Sequence, residues 1–219
     1  EAISEVARSA TGNTFVIYNP KIKRNGALGS KAQVRTGTKE FKDIFFSSDR
    51  YLKNITISKE GSFIAAITAK QGTDDRVLIM DKYGNELNTI SAEEDLKDAR
   101  FTDDLEQITI YSGGRVMVYN TLSGESLGAT SFSAPIMIAD YFPEDNLILA
   151  LTGNYSERSG TLNGIEFRAV NLRQRSIASQ QFSGALGLNE AIELRLIRST
   201  SNEYMLKGAN KDILIRANF

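Results

Sequence analysis

The sequence predicts an all-β chain built from repeated four-stranded units, on three observations. The first is a repeat. Arg76-Val-Leu-Ile-Met-Asp81 and Arg115-Val-Met-Val-Tyr-Asn120 lie 39 residues apart, and each runs into a Gly-bearing turn, at Lys82-Tyr-Gly84 and Thr121-Leu-Ser-Gly124. A shorter strand-like piece follows each, Glu86–Ile90 and Glu125–Ala129. The second is burial on both faces. In Val77–Met80 and Val116–Tyr119 both alternating sets of side chains are apolar, whereas a sheet with one wet face alternates apolar and polar. The third is local: apolar runs of about four to eight residues, rich in Val, Ile, Thr and Tyr, favour strands over helices.

Taken in order, Glu1–Ala10 reads as a short helix or a frayed strand. Thr14-Phe-Val-Ile-Tyr-Asn19 matches the third-strand pattern, as do Phe167–Asn171 and Ile213–Asn218. All end in Asn or Asp, whose short side chain can hydrogen-bond the local backbone as a strand leaves into a turn. Upstream of the clear copies, Ile55–Gly61 leads into Ser62–Thr68, Asp98–Asp104 into Gln107–Tyr111, and Ala139–Asp145 into Leu147–Thr152. One unit therefore reads as strand, acidic turn, strand, loop, strand, Gly turn, strand. Four strands in roughly 40–45 residues is the period of a propeller blade. The expected fold is a β-propeller-like array of about five such blades, with a two-sheet β-sandwich as the alternative. Ser91-Ala-Glu-Glu94 resembles a capping box and predicts a turn or two of helix over Asp95–Arg100.

Ile57-Ser-Lys-Glu-Gly-Ser-Phe-Ile-Ala-Ala66 resembles the first hairpin of bacterial β-propellers of the WD40-like, TolB-like and quinoprotein-like kinds. There a Ser-Pro-Asp-Gly turn joins the first two strands of a blade, and Lys59 stands in place of its Pro. Arg115–Gly124 is similar to the strand and Thr-Gly turn that close such blades. The resemblance covers Leu52–Asn171 and implies an architecture, with no function attached to it. The chain has no Trp-Asp or Gly-His pair and none of the Trp-bearing motifs of quinoprotein dehydrogenases, so it implies no quinone cofactor.

At 219 residues the chain is expected to form a single domain over residues 1–219, either complete or cut from a longer protein. It has no Cys, His or Trp, which removes disulfides, thiolate nucleophiles, imidazole bases and His or Cys metal sites. No cofactor and no metal are expected. Lys and Arg number 26 against 27 Asp and Glu, so the net charge of −1 gives no push toward nucleic acid or anionic membrane. No apolar stretch is long enough to span a bilayer. A Cys-free chain fits a periplasmic or extracellular place, with the cytoplasm as the alternative.

Charge is nonetheless uneven. Pro20–Lys42 carries seven cations (Lys21, Lys23, Arg24, Lys31, Arg35, Lys39, Lys42) against Glu40 alone, around a Gly-rich middle that predicts an exposed arm or long hairpin. Asn85–Gln107 is its counterweight, with eight acids against Lys97 and Arg100. Asp103, Asp104 and Glu106, and Glu144 and Asp145 near Asp140, are read as hairpin-turn residues rather than as a Ca²⁺ loop. Gly153–Asn163 is an insertion between second and third strands, where recognition loops sit on rigid scaffolds. Its Tyr155 and Arg158 are residue types favoured at binding hot spots. The expected function is a non-enzymatic interaction or scaffold module. It would bind another protein or domain with an acidic surface through Lys21, Lys23, Arg24, Lys31, Arg35, Tyr155 and Arg158, and no nucleic acid. The alternatives are a carbohydrate-active hydrolase or lyase and a small-ligand or ion sensor.

Overall fold

Backbone pairing in the computed structural model runs almost wholly between chain neighbours. It describes residues 4–24, 27–47, 49–70, 74–156, 158–159, 161–181, 186–187, 195–200, 203–207 and 212–216. The first sheet is β1 (Glu5–Arg8), β2 (Thr14–Arg24), β3 (Ala27–Thr36) and β4 (Lys42–Ser47). The second is β5 (Tyr51–Ile57), β6 (Phe63–Ala69), β7 (Asp75–Asp81) and β8 (Glu86–Ala92). The third is β9 (Leu96–Phe101), β10 (Gln107–Ser112), β11 (Arg115–Asn120) and β12 (Ser126–Ser131). The fourth holds β13 (Ile136–Phe142), β14 (Leu147–Ser156), β15 (Thr161–Asn171) and β16 (Ser176–Gln181), with the short β17 (Leu186–Gly187) beside the start of β15. Three described strands follow in the fifth: β18 (Arg195–Thr200), β19 (Glu203–Lys207) and β20 (Asp212–Arg216). This is the β-propeller-like array of four-stranded blades that the sequence predicts. Among the described residues the strands fall into five separate sheets, not the two of a sandwich. By contact the chain divides into two compact units, Glu1–Ser112 with Tyr119–Leu127, and Gly113–Val118 with Gly128–Phe219.

Burial follows strand position. The second strands β6 and β10 are buried on both faces almost throughout; β6 shows no polar alternation, and β10 buries Thr109 and Ser112 along with its apolar residues. Fourth strands are the wet edge: β8 and β12 are mostly exposed, and their sequences mix Ser, Thr, Asn and Glu with single apolar residues. In the first unit Val16, Tyr18, Ala32 and Val34 of the first sheet pack with Leu52, Ile55, Ile64, Ala66 and Met80 of the second. Each fully buried Leu, Ile or Met there contributes about 1.5–3 kcal/mol of apolar burial. Burial, followed by the neighbouring Glu5, pushes the Tyr18 phenol well above its ordinary pKa.

The turn between first and second strands repeats as a chemical device. Ser9, Ser58 and Thr102 each donate a backbone N–H across the turn, to Thr14, Phe63 and Gln107 carbonyls at 2.9–3.0 Å. Their hydroxyl oxygens accept the returning N–H of the same three residues at 3.0–3.2 Å. Three residues after each hydroxyl the chain turns through positive φ, at Gly12 (73°), Gly61 (79°) and Leu105 (64°). At Gly61 the space is closed as well, since a Cβ would lie 2.5 Å from Thr14 Oγ1. The turn between third and fourth strands has its own device. Asp81 Oδ1 accepts the N–H groups of Tyr83 and Asn85, and Asn120 Oδ1 accepts those of Leu122 and Ser123.

Three expectations change. Residues 95–100 form no helix: β9 begins at Leu96 and pairs antiparallel with β10, and Leu96 N–H is anchored on the buried Asp75 carboxylate at 2.8 Å. The capping-box pattern preceded a run too short to sustain helical hydrogen bonds against that pairing. Thr14–Asn19 is the second strand of its sheet rather than the third, with β1 (Glu5–Arg8) ahead of it, and Asn19 sits before a bulge instead of a turn. Gly153–Asn163 is not a loose insertion. It extends the β14–β15 hairpin, with Asn154, Tyr155 and Ser156 paired to Asn163, Leu162 and Thr161.

Candidate interaction surface

The β2–β3 hairpin is the long basic hairpin expected from Pro20–Lys42. Its register runs from Thr14↔Thr36 through a bulge at Asn19/Ile22 to Arg24↔Ala27. Beyond Ser30↔Ser47, β4 no longer accompanies β3, so the tip leaves the sheet as a two-stranded ribbon. Lys21, Lys23 and Arg24 lie in that ribbon by backbone, and their side chains lie outside the described residues. Lys31 sits back on the sheet, paired with Asp43 at 3.3 Å, both side chains largely in solvent. Such a pair is worth at most about 1 kcal/mol. Hydrogen bonds from Gln33 and then Lys31 hold the Asp43 carboxyl below the ordinary carboxylate range.

Arg35 lies toward the other end of β3, its guanidinium 5.7 Å from the centre of the Phe41 ring. Tyr155 belongs to β14 by backbone, its side chain outside the described residues, and Arg158 is exposed in the following turn. Lys31 and Arg35 belong to the first compact unit and Tyr155 and Arg158 to the second. Gly160 also lies outside the described residues.

A cluster that the sequence did not show joins two turns of adjacent sheets. The Thr36 hydroxyl donates to the Lys82 carbonyl at 2.9 Å, and Lys42 Nζ donates to the Tyr83 carbonyl at 2.9 Å. Lys39 Nζ and Lys82 Nζ stand 4.6 and 5.2 Å from the centre of the Tyr83 ring, within cation–π range. Phe41 and Tyr83 remain 42% and 41% exposed, a sizeable aromatic surface ringed by four cations. Lys39 and Lys42 were visible in the basic segment. Lys82-Tyr83 comes from a different blade, and the packing of Gly84 on Ile44 brings it alongside, together with the Thr36 and Lys42 hydrogen bonds.

Along β5 and β9 of the first unit the polar side chains interlock. Lys53 Nζ donates to the buried Asp75 at 2.7 Å and also to Asp95. Burial alone would pull the Lys53 ammonium down, but the hydrogen bonds to Asp75 and Asp95 outweigh it and its pKa sits above the ordinary lysine value. An amine so held is a cation at neutral pH and no general base. The Asp98 carboxylate accepts from Asn54, Thr56, Arg100 and Tyr111 at 2.9–3.3 Å, tying the second sheet to the third. Asp104 accepts the Thr102 hydroxyl and the Glu106 N–H, and Pro143–Asp145 forms a 3₁₀ turn, so both acidic pairs serve turns. Among the described residues no three Asp, Glu, His or Cys side chains gather as a metal site, and no helix is long and apolar enough to cross a membrane.

Arg50 reaches across the β6–β7 end of its sheet to the Asp74 carboxylate at 3.1 Å and to Thr68. This bond, ahead of a second from Arg76, holds the Asp74 carboxyl below its ordinary value. A carboxyl depressed in the folded state contributes stability that is present above its unfolded pKa and lost as pH falls through the folded one. Acid unfolding followed by far-ultraviolet circular dichroism between pH 5 and pH 2 should therefore show a shallower acid limb in Asp74→Asn than in the parent. An identical limb in both would remove Asp74 from the account.

No protein-family model matches the chain, and no curated protein matches it. Among solved structures it is similar to Kuenenia stuttgartiensis hydrazine synthase, with a TM-score of 0.58 at 11% sequence identity over 93% of this chain. The match spans 54% of that chain, about half its length. At this identity the likeness concerns the fold alone.

Proposed function

We propose that this chain is a non-enzymatic interaction module, a rigid array of blades that presents extended hairpins to another protein or domain with an acidic surface. The observation that carries the reading is the β2–β3 ribbon. Its strands run 11 and 10 residues, against 7 or 6 for the corresponding pairs in the second and third sheets, and the excess projects past β4. A two-stranded ribbon is marginal in water by itself and gains order against a partner. This one brings Lys21, Lys23 and Arg24 with no acid among them. The β14–β15 hairpin, equally long, is the second candidate contact through Tyr155 and Arg158. Nucleic acid is the poorer partner because no stacking aromatics interleave the ribbon's cations. The Ser58–Gly61 turn supports a place among the WD40-like, TolB-like and quinoprotein-like bacterial propellers, and the Cys-free composition supports a periplasmic or extracellular setting.

Crosslinking followed by affinity measurement on the recovered partner tests the reading. Combined Lys21→Glu, Lys23→Glu and Arg24→Glu changes should weaken binding about tenfold or more at low salt, with the thermal melt unchanged. Binding indifferent to those reversals and to shortening of the β14–β15 hairpin would discard it.

A further inference from the structure

We propose that the edge of the first unit carrying its third-to-fourth-strand turns is a self-association surface, occupied by a second copy of this chain. It lies at the opposite end of β3 from the ribbon tip, so it stands or falls apart from the function proposed above.

Along this edge the turns of the first three sheets are stitched in a row. Thr36 bonds the Lys82 carbonyl, Lys59 pairs with Asp103 at 3.5 Å, and Asn88 Nδ2 donates to the Thr121 carbonyl at 3.3 Å. Thr121 N–H in turn donates to the Glu106 carbonyl at 2.9 Å, joining the two turns of the third sheet. Charge is segregated along the row. The first end presents Arg35, Lys39, Lys42 and Lys82 around Phe41 and Tyr83, opposed by Glu40; the Asp81 carboxylate is turned inward onto its own turn. The third sheet presents Asp103, Asp104, Glu106 and Glu125 with no cation in either turn, beside Leu122, which is 59% exposed.

Each end is thus an apolar centre in a rim dominated by one sign, with Glu40 the exception at the first end and Lys59, paired with Asp103, the exception at the third, and the two dominant signs are opposite. Interfaces gather aromatic anchors at the centre and polar groups at the rim. The cationic end spans the turns of the first and second sheets, and the acidic end those of the third. A two-fold axis between the turns of the second and third sheets lays the cationic end of one copy on the acidic end of the other, and the reverse, in one isologous contact.

Sedimentation of the 219-residue chain over a range of concentration decides the matter. The expected result is a dimer of the 24.2 kDa chain at about 0.01 M salt that dissociates toward about 1 M, as the Debye length falls from about 30 to about 3 Å. Lys39→Glu with Lys82→Glu makes both ends acidic, and Asp103→Lys with Glu106→Lys and Glu125→Lys leaves only Asp104 at the third-sheet end and makes both cationic. Each variant alone should be at least tenfold weaker in self-association. An equimolar mixture should recover a heterodimer of parental affinity, and that recovery also shows that both variants fold. A parent that stays monomeric at low salt, a dimer insensitive to both reversals, or variants that fail to pair with each other while keeping the parental melt would each overturn the proposal.

Discussion

Asp75→Ala is expected to lower the unfolding free energy of the first unit by about 3 kcal/mol, the lower end of what breaking a buried ion pair from one side costs. The carboxylate is 2% exposed and has two tasks. It holds the Lys53 ammonium at 2.7 Å and accepts the buried Leu96 N–H at 2.8 Å, fixing the place where the chain leaves the second sheet and begins the third. Alanine strands the N–H without a partner and leaves Lys53 with Asp95 only. The estimate stays at the lower end because Lys53 keeps that second acid and some access to water. Asp75→Asn retains an acceptor for Leu96 and should lose about half as much. Urea unfolding of the three proteins measures the series, and an alanine variant within about 0.5 kcal/mol of the parent would refute the role.

Gly84→Ala should cost about 2–4 kcal/mol, from two sources that a double-variant cycle separates. The residue turns at φ 80°, where an L side chain is strained, and an added Cβ would stand 2.2 Å from Ile44 Cγ2 and 2.8 Å from Ile44 Cβ. That contact seats the β7–β8 turn of the second sheet on β4 of the first. In an Ile44→Ala background the 2.2 Å contact with Cγ2 is gone, while the Cβ contact at 2.8 Å and the backbone strain remain. The substitution should then cost about 1–2 kcal/mol, a non-additivity of about 1 kcal/mol or more. Additive losses would mean that the two residues are not in contact.

What was legible in the sequence was whatever short-range chemistry dictates. Arg76–Asp81, Arg115–Asn120 and Phe167–Asn171 were readable as third strands because their closing Asp or Asn caps the turn with its own side chain, as Asp81, Asn120 and Asn171 do. The doubly buried blades were readable from apolar pairs on both faces. Thr14–Asn19 misled because its ending in Asn is followed by Pro20 and a bulge, a local signal with no turn behind it. The turn before Gln107 was legible from its acids, but its backbone was not, since nothing in Leu105 announces a φ of 64° that glycine takes in the equivalent Gly12 and Gly61. The basic segment was visible as charge, and the ribbon as length. The Phe41–Tyr83 corner was not, because its halves lie on different blades and meet through contacts distant in sequence, Thr36 with Lys82, Lys39 and Lys42 with Tyr83, and Ile44 with Gly84.

Within the first unit the sheets are consecutive meanders, each paired within itself, with the first packed on the second. Nuclear Overhauser contacts in the isotope-labelled protein read this directly. Backbone contacts should link Ile55 to Ala66 and Ala66 to Leu78 within the second sheet, and Ala99 to Ile110 in the third. Side-chain contacts should join Ile44 methyls to the Gly84 Hα and Thr14 to Gly61 across the first two sheets, with no backbone pairing between β4 and β5. Cross-strand backbone contacts running from β4 into β5, or from β8 into β9, would merge the sheets into one continuous layer and contradict it.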